Sequence, residues 1–249
     1  MVLVRPHRLM NDNPLADIDS YDDEYQQFQW DVYLLIENTR RASALHLGAK
    51  VDTDLADIKA AIEKSHDPVA QEHLVDEHVD VLETYSRQEQ FLRNMALVAL
   101  SSRLTHALRN MTKSATFSPR KKNGYGHRGM SEYKQLWMEY AERFGIDFTA
   151  NANRIAFVEP MREVRNQIVH EGAEAETYKF QEDIDWNDGV LAFMDDSFSR
   201  KYPQYVSGGD VAVTEEQLTE AVKAAISLVE WLAKELRTRE LAFITTQEP

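Results

Sequence analysis

Apolar residues along this chain recur mostly at intervals of three and four, and each such run reads as one face of a helix. Phe28, Val32, Leu35, Ile36 and Leu45 follow a helix start at Ser20, where Asp22, Asp23 and Glu24 crowd the first turn; Gly48 is expected to end that helix. A shorter helix is expected after a cap at Thr53, with Leu55, Ile58 and Ile62 inward and a stop before Pro68. From Pro68 to about Met111 the series Val75, Val79, Leu82, Tyr85, Phe91, Met95, Val98, Leu104 and Leu108 meets no internal Gly or Pro and predicts one very long helix. Leu136, Trp137, Tyr140 and Phe144 mark a helix over 132–144 closed by Gly145. Phe157, Val158, Met161, Val164, Ile168 and Val169 mark another from about Asn151, with a kink expected at Pro160. Thr214 and Gln217 stand at capping-box spacing ahead of a last helix through Leu218, Val222, Ala225, Ile226, Val229, Leu232 and Leu236.

Two stretches break the rhythm. Residues 1–19 hold Pro6, Pro14 and several Asp and Asn, and read as an irregular arm. Residues 173–213 are the least helical, and the alternating run Asp210 to Val213 beside Gly208 and Gly209 suits a small hairpin or an acidic loop. The fold expected is all-α, an up-and-down helical bundle with extra N-terminal helices and a mostly irregular acidic insertion before the last helix. Residues 1–67 are taken as arm and accessory helices and 68–249 as the bundle, divided at Pro68.

Composition narrows the classes. At 249 residues and 43% hydrophobic content the chain can bury a sizeable core. With no cysteine it has neither a disulfide framework nor a thiolate metal site. Met1–Val4 is too short an apolar run for a signal peptide, and Met95–Leu100, the longest apolar stretch, is too short for a membrane helix, so a soluble cytoplasmic protein with no membrane partner is expected.

A formal charge of -14 excludes a surface that grips nucleic acid everywhere. The charge is uneven, however. Residues 119–145 carry six basic and three acidic side chains, whereas 171–220 carry three basic and thirteen acidic ones, so the one basic island is a loop. That loop holds Arg120, Lys121, Lys122, Tyr125, His127 and Arg128, which supply cations for phosphates and a ring on which a base of single-stranded RNA can stack. The same composition suits a merely solvated loop. Arg103, His106 and Arg109 lie within two turns of the long helix and can line a phosphate groove or serve as ordinary surface and capping groups. His73, Asp76, Glu77, His78 and Asp80 imitate a metal site but read as a solvated charged face, because four-helix metal sites need such groups on inward faces of several helices.

The candidate chemistry lies at the end of the Asn151 helix, in Arg165-Asn166-Gln167-Ile168-Val169-His170-Glu171-Gly172. Arg165 is a permanent cation with a planar fork of donors suited to phosphate. His170 gives or takes a proton near neutral pH and sits in the last helical turn, where the carbonyls favour its charged form. Positions five apart point about 140° away from each other on a straight helix. Either the helix loosens at its end, or a second copy of the chain completes the site, as in a symmetric dimer. The bland alternative pairs Arg165 with an acid such as Glu163 and leaves His170 at the helix end for dipole reasons alone.

The wording Arg-Asn-x-Ile-Val-His-x-Gly, closing one helix of a mostly helical chain, resembles the signature of the HEPN superfamily (higher eukaryote and prokaryote nucleotide-binding domains). The pattern there is Arg, a polar residue often Asn, three to five more residues, then His. Arg41 to His46 and Arg120 to His127 have similar spacing but follow Arg with Ala or Lys. The resemblance covers the motif and a compatible helix order over about residues 68–240. It implies a metal-independent RNA endonuclease that uses no cofactor, acts as a homodimer, and serves as a toxin or defence effector with a partner or antitoxin protein. Carried over, it makes His170 the acid/base, Arg165 the phosphate and transition-state binder, and Asn166 an orienting residue. Some such toxins are silenced by nucleotidyl transfer onto a tyrosine two residues after the histidine; here Gly172 holds that position, and Tyr178 is the nearest tyrosine downstream. The contrasting expectation is a non-catalytic helical scaffold or interaction module.

Overall fold

The computed structural model describes residues 14–115, 132–170, 177–180, 192–195, 197–207 and 210–247. The fold is all-α. Helix α1 (Pro14–Ala42) passes through a π-helical turn (Ser43–Gly48) into α2 (Ala49–Lys64), and α3 (Pro68–Ser114) follows after a short break. Then come α4 (Glu132–Phe144), a single turn α5 (Ala152–Ile155), α6 (Val158–His170), α7 (Ser197–Lys201) and α8 (Glu215–Gln247). The β structure among the described residues is two small antiparallel pairs, β1 (Thr177–Phe180) with β2 (Ala192–Asp195) and β3 (Val206–Ser207) with β4 (Asp210–Val211). The second pair is the hairpin expected around Gly208 and Gly209, two residues that lie outside the described ones.

Four boundary expectations are corrected. The first helix starts at Pro14, not Ser20: a proline in the first turn gives up an N–H that has no partner there anyway, and Ser20 is buried within the helix. Gly48 does not end that helix. It keeps right-handed helical angles (φ -55, ψ -55), and Thr53 is not a cap, because its hydroxyl donates back to the Ala49 carbonyl at 2.9 Å. Pro160 does not kink the motif helix. The chain turns at residues 156–157 and restarts at Val158, which puts Pro160 in the first turn of α6, where it removes no required hydrogen bond.

Other boundaries follow the expectation. α3 runs 47 residues. Gly145 closes α4 at φ +67, a conformation that a side chain would strain, and its N–H reaches the Ala141 carbonyl at 3.0 Å. At the start of α8 the Gln217 N–H donates to the Thr214 hydroxyl at 3.1 Å, and the Thr214 N–H donates to Gln217 Oε1 at 2.9 Å.

By compactness the described chain divides into two units, and Pro68 falls inside the second. The first draws on Met1–Trp30, Leu104–Ile155 and Ala225–Pro249. Its core gathers Tyr21, Phe28, Leu104, Leu108, Met111, Leu136, Tyr140, Phe144, Leu232 and Leu236, all buried. Phe148 sits among rings, 4.6 Å from Trp137 and 5.7 Å edge-on from Trp231, centroid to centroid. The Tyr140 hydroxyl satisfies itself on the Leu108 carbonyl at 2.8 Å, and burial pushes its phenol well above the usual range.

The second unit draws on Asp31–Arg103 and Ala156–Ala224. Its core gathers Val32, Ile58, Tyr85, Leu97, Leu100, Val158, Met161, Val164, Val211, Val213 and Leu218. A buried amide organises it. Asn94, in mid-α3, donates to the Val211 carbonyl at 2.8 Å and accepts the Val213 N–H at 3.2 Å, so one side chain substitutes for a neighbouring strand. Arg93 Nε adds a bond to the Val213 carbonyl at 3.0 Å.

Candidate functional site

Helix α6 carries the motif because its apolar positions, Val158, Met161, Val164 and Ile168, fall at threes and fours and are buried, leaving the polar positions outward. The helix begins where the Met161 N–H reaches the Phe157 carbonyl at 3.1 Å, and it packs against β4, the strand that Asn94 holds.

On its outer side the acids near Arg165 are already engaged. Arg162 grips Glu159 with two bonds, Nη2 to Oε1 at 2.7 Å and Nε to Oε2 at 3.2 Å, and also reaches Glu163. The Glu159 bond, with help from Glu163, holds the Arg162 guanidinium above its ordinary value. Lys201 of α7 lies 5.0 Å from the Tyr202 ring; the Tyr202 hydroxyl first, and Glu163 and Glu159 more weakly, raise its pKa. Glu163 is therefore taken by Arg162, and the pairing of Arg165 with Glu163 is not what the structure contains.

Arg165 instead donates Nη1–H to Asn166 Oδ1 at 2.9 Å and is half-buried. No carboxylate among the described residues neutralises it. His170 is the last residue of α6 and its ring is exposed; Val169 beside it is 46% exposed. The helix keeps α geometry through His170, so it does not loosen between the two groups, and Arg165 and His170 of one chain point about 140° apart. Val169 shares the face of Arg165, four residues away, and Asn166 shares the face of His170.

The other predicted groups fall in separate places. Arg120, Lys121, Lys122, Tyr125 and Arg128, with His127, lie outside the described residues, as do Gly172 and the residues beside it. Arg103 is exposed and faces Asp31 at 3.4 Å, while Arg109 is exposed and paired with Glu132. His106 Nε2 lies 3.0 Å from the Asn110 amide nitrogen, which also reaches Glu24 at 3.3 Å. His73, Asp76, Glu77 and Asp80 are exposed and His78 half-buried, and among the described residues no three His, Asp or Glu side chains converge as metal ligands.

Sequence reading missed Asn94 and Gln90, whose side-chain amides bond to each other at 2.8 Å and to the segment under α6. The available signal was an amide at an apolar-phase position of a long helix. It also missed a cavity of about 260 Å³ at the π turn, where Arg40 faces Glu215 at 3.4 Å, Arg93 faces Glu89 at 3.5 Å, and the Ser43 hydroxyl donates to Glu89 at 2.8 Å. Its charges are paired within it, and it contains no group of the motif.

Fold and site together define an all-α protein with an exposed histidine at a helix end and, a turn and a half earlier, an arginine held by an amide instead of an acid. No helix among the described residues is long and apolar enough to cross a membrane. No protein-family model, no curated protein and no solved structure matches this chain.

Proposed function

We propose that the chain is a metal-independent endoribonuclease of HEPN type that works as a homodimer. The observation that carries the reading is the state of the motif pair: His170 is open to solvent at the end of α6, and Arg165 is oriented by Asn166 while the nearby acids bond to Arg162. A guanidinium neutralised by a carboxylate would have little capacity left for a phosphodiester; this one keeps it. The 140° separation within one helix favours a site completed by a second copy, and the exposed Val169 gives the Arg165 face an apolar contact for that copy.

In the proposed reaction His170 takes the proton of a ribose 2′-hydroxyl, and the 2′-oxygen attacks the adjacent phosphorus. Arg165 binds the non-bridging oxygens and the charge that grows on them. The bond to the 5′-oxygen breaks, and His170 of the second copy supplies that oxygen with a proton. The products are a 2′,3′-cyclic phosphate and a free 5′-hydroxyl. Arg120, Lys121, Lys122, Tyr125 and Arg128 are assigned to substrate strand binding, and a toxin or defence role with a partner protein fits such an activity.

The test compares wild type with His170→Ala and Arg165→Ala on end-labelled RNA in EDTA. Each substitution is expected to lower cleavage by about 10²- to 10⁴-fold. His170→Ala, at an exposed position, should shift stability by no more than about 0.5 kcal/mol. Equal cleavage by all three proteins overturns the proposal.

A further inference from the structure

The first five turns of α3 differ from the rest of the chain in charge and in cover. Between Ser65 and Ser86 there is no Lys or Arg, while Glu72, Asp76, Glu77, Asp80 and Glu83 are all exposed. Glu83 meets Arg87 at 3.8 Å; the other four meet no basic group among the described residues. Within this acidic stretch Val75, Val79 and Leu82 follow each other at four and three residues, so they share one face, and they are 49%, 46% and 44% exposed.

That face is not the one α2 covers. Tyr85 marks the covered side, being buried with its hydroxyl donating to Asp54 of α2 at 2.7 Å. Leu74, Val81 and Tyr85 centre that side about 100° around the helix from the Val75–Val79–Leu82 stripe. α2 therefore protects one side, and the stripe remains a second apolar side bordered, along its edge away from α2, by Glu72, Asp76 and Glu83.

We infer that this stripe docks an amphipathic helix of a partner protein whose apolar seam is flanked by lysine or arginine. Three aliphatic side chains at helical spacing provide the seam, and the carboxylates beside it, of which Glu72 and Asp76 meet no basic group among the described residues, select the sign of the partner. A second copy of the chain is a poor occupant, because in either orientation this stretch offers no lysine or arginine to meet the carboxylates of its twin. The same sign disfavours RNA and anionic lipid. The surface is separate from Arg165 and His170, and the inference does not depend on their chemistry.

A synthetic peptide of about three heptads, with Leu at the seam positions and Lys flanking them, serves as the probe. Its binding to the full chain is read by fluorescence anisotropy at two salt concentrations, beside a scrambled peptide of the same composition and a peptide with Glu in place of Lys. Wild type should bind the first peptide at least about tenfold more tightly than the other two, with affinity falling as salt rises. Val79→Lys, a change at a solvent-facing position, should weaken binding about tenfold or more while leaving circular dichroism and sedimentation mass unchanged. The inference is overturned by no binding, by equal binding of the scrambled peptide, by undiminished binding to Val79→Lys, or by a change of oligomeric mass in that variant without peptide.

Discussion

The two ends of α3 carry the same periodicity and meet opposite fates. Near its C-terminal end Leu97, Leu100, Leu104, Leu108 and Met111 are all buried to within 2% exposure. Near its N-terminal end Val75, Val79 and Leu82 stay nearly half exposed, though their spacing is just as regular. Spacing thus reports that a segment is helical and has an apolar face, but not whether anything covers that face. The C-terminal end is covered because bulky rings and aliphatic groups from other segments gather around it, Tyr140 even tying its hydroxyl to the Leu108 carbonyl. The N-terminal end has α2 on one side, and its other sides carry the exposed stripe and carboxylates.

The contrast can be broken by mutation. Leu104→Ala removes a fully buried side chain and should cost about 2–5 kcal/mol, read as a lower urea midpoint; a loss under about 1 kcal/mol would mean the C-terminal end is loosely packed. A smaller, pH-dependent effect follows from Tyr140. Burial first, and Glu139 second, raise its phenol above the ordinary 10.0, against a lowering from Arg143. The folded state therefore keeps the proton while the unfolded state releases it. Stability is full below pH 10 and falls above it, by a limiting slope of about 1.4 kcal/mol per pH unit, and Tyr140→Phe should flatten that part of the profile. Val79→Ala should have the smallest effect, within about 0.5 kcal/mol, since its exposed face gives up little packing. A Val79→Ala loss approaching that of Leu104→Ala would erase the contrast and mean the stripe is covered in solution.

Much of the helix inventory was legible because it rests on local rules. The Thr214–Gln217 box, the Gly145 stop and the span of α3 depend on side chains within a few residues of the feature they set. The errors came where a local signal lost to its surroundings. Gly48 favours a break only weakly, and the residues around it continue the helix by widening it into a π turn. Pro160 signals a discontinuity correctly, but by starting a helix instead of bending one. Asn94 was not legible as a strand holder, because its partners lie 117 and 119 residues away. In the motif, the helix that carries His170 and its place in the last turn follow from sequence, whereas its exposure and the Arg162–Glu159–Glu163 cluster that occupies the nearby acids do not.

The π turn at Ser43–Gly48 sets the phase of everything between α1 and α3. Closing its hydrogen bonds five residues apart instead of four accommodates one extra residue per turn, which in ordinary winding equals an offset of about 100°. The offset lets Val32 and Ile58, on a helix unbroken between them, both reach the interior. Chain length there is consequently fixed to the residue. Shortening the turn by one position would leave the helix intact but swing Ile58 toward water and carry Asp54 away from the Tyr85 hydroxyl.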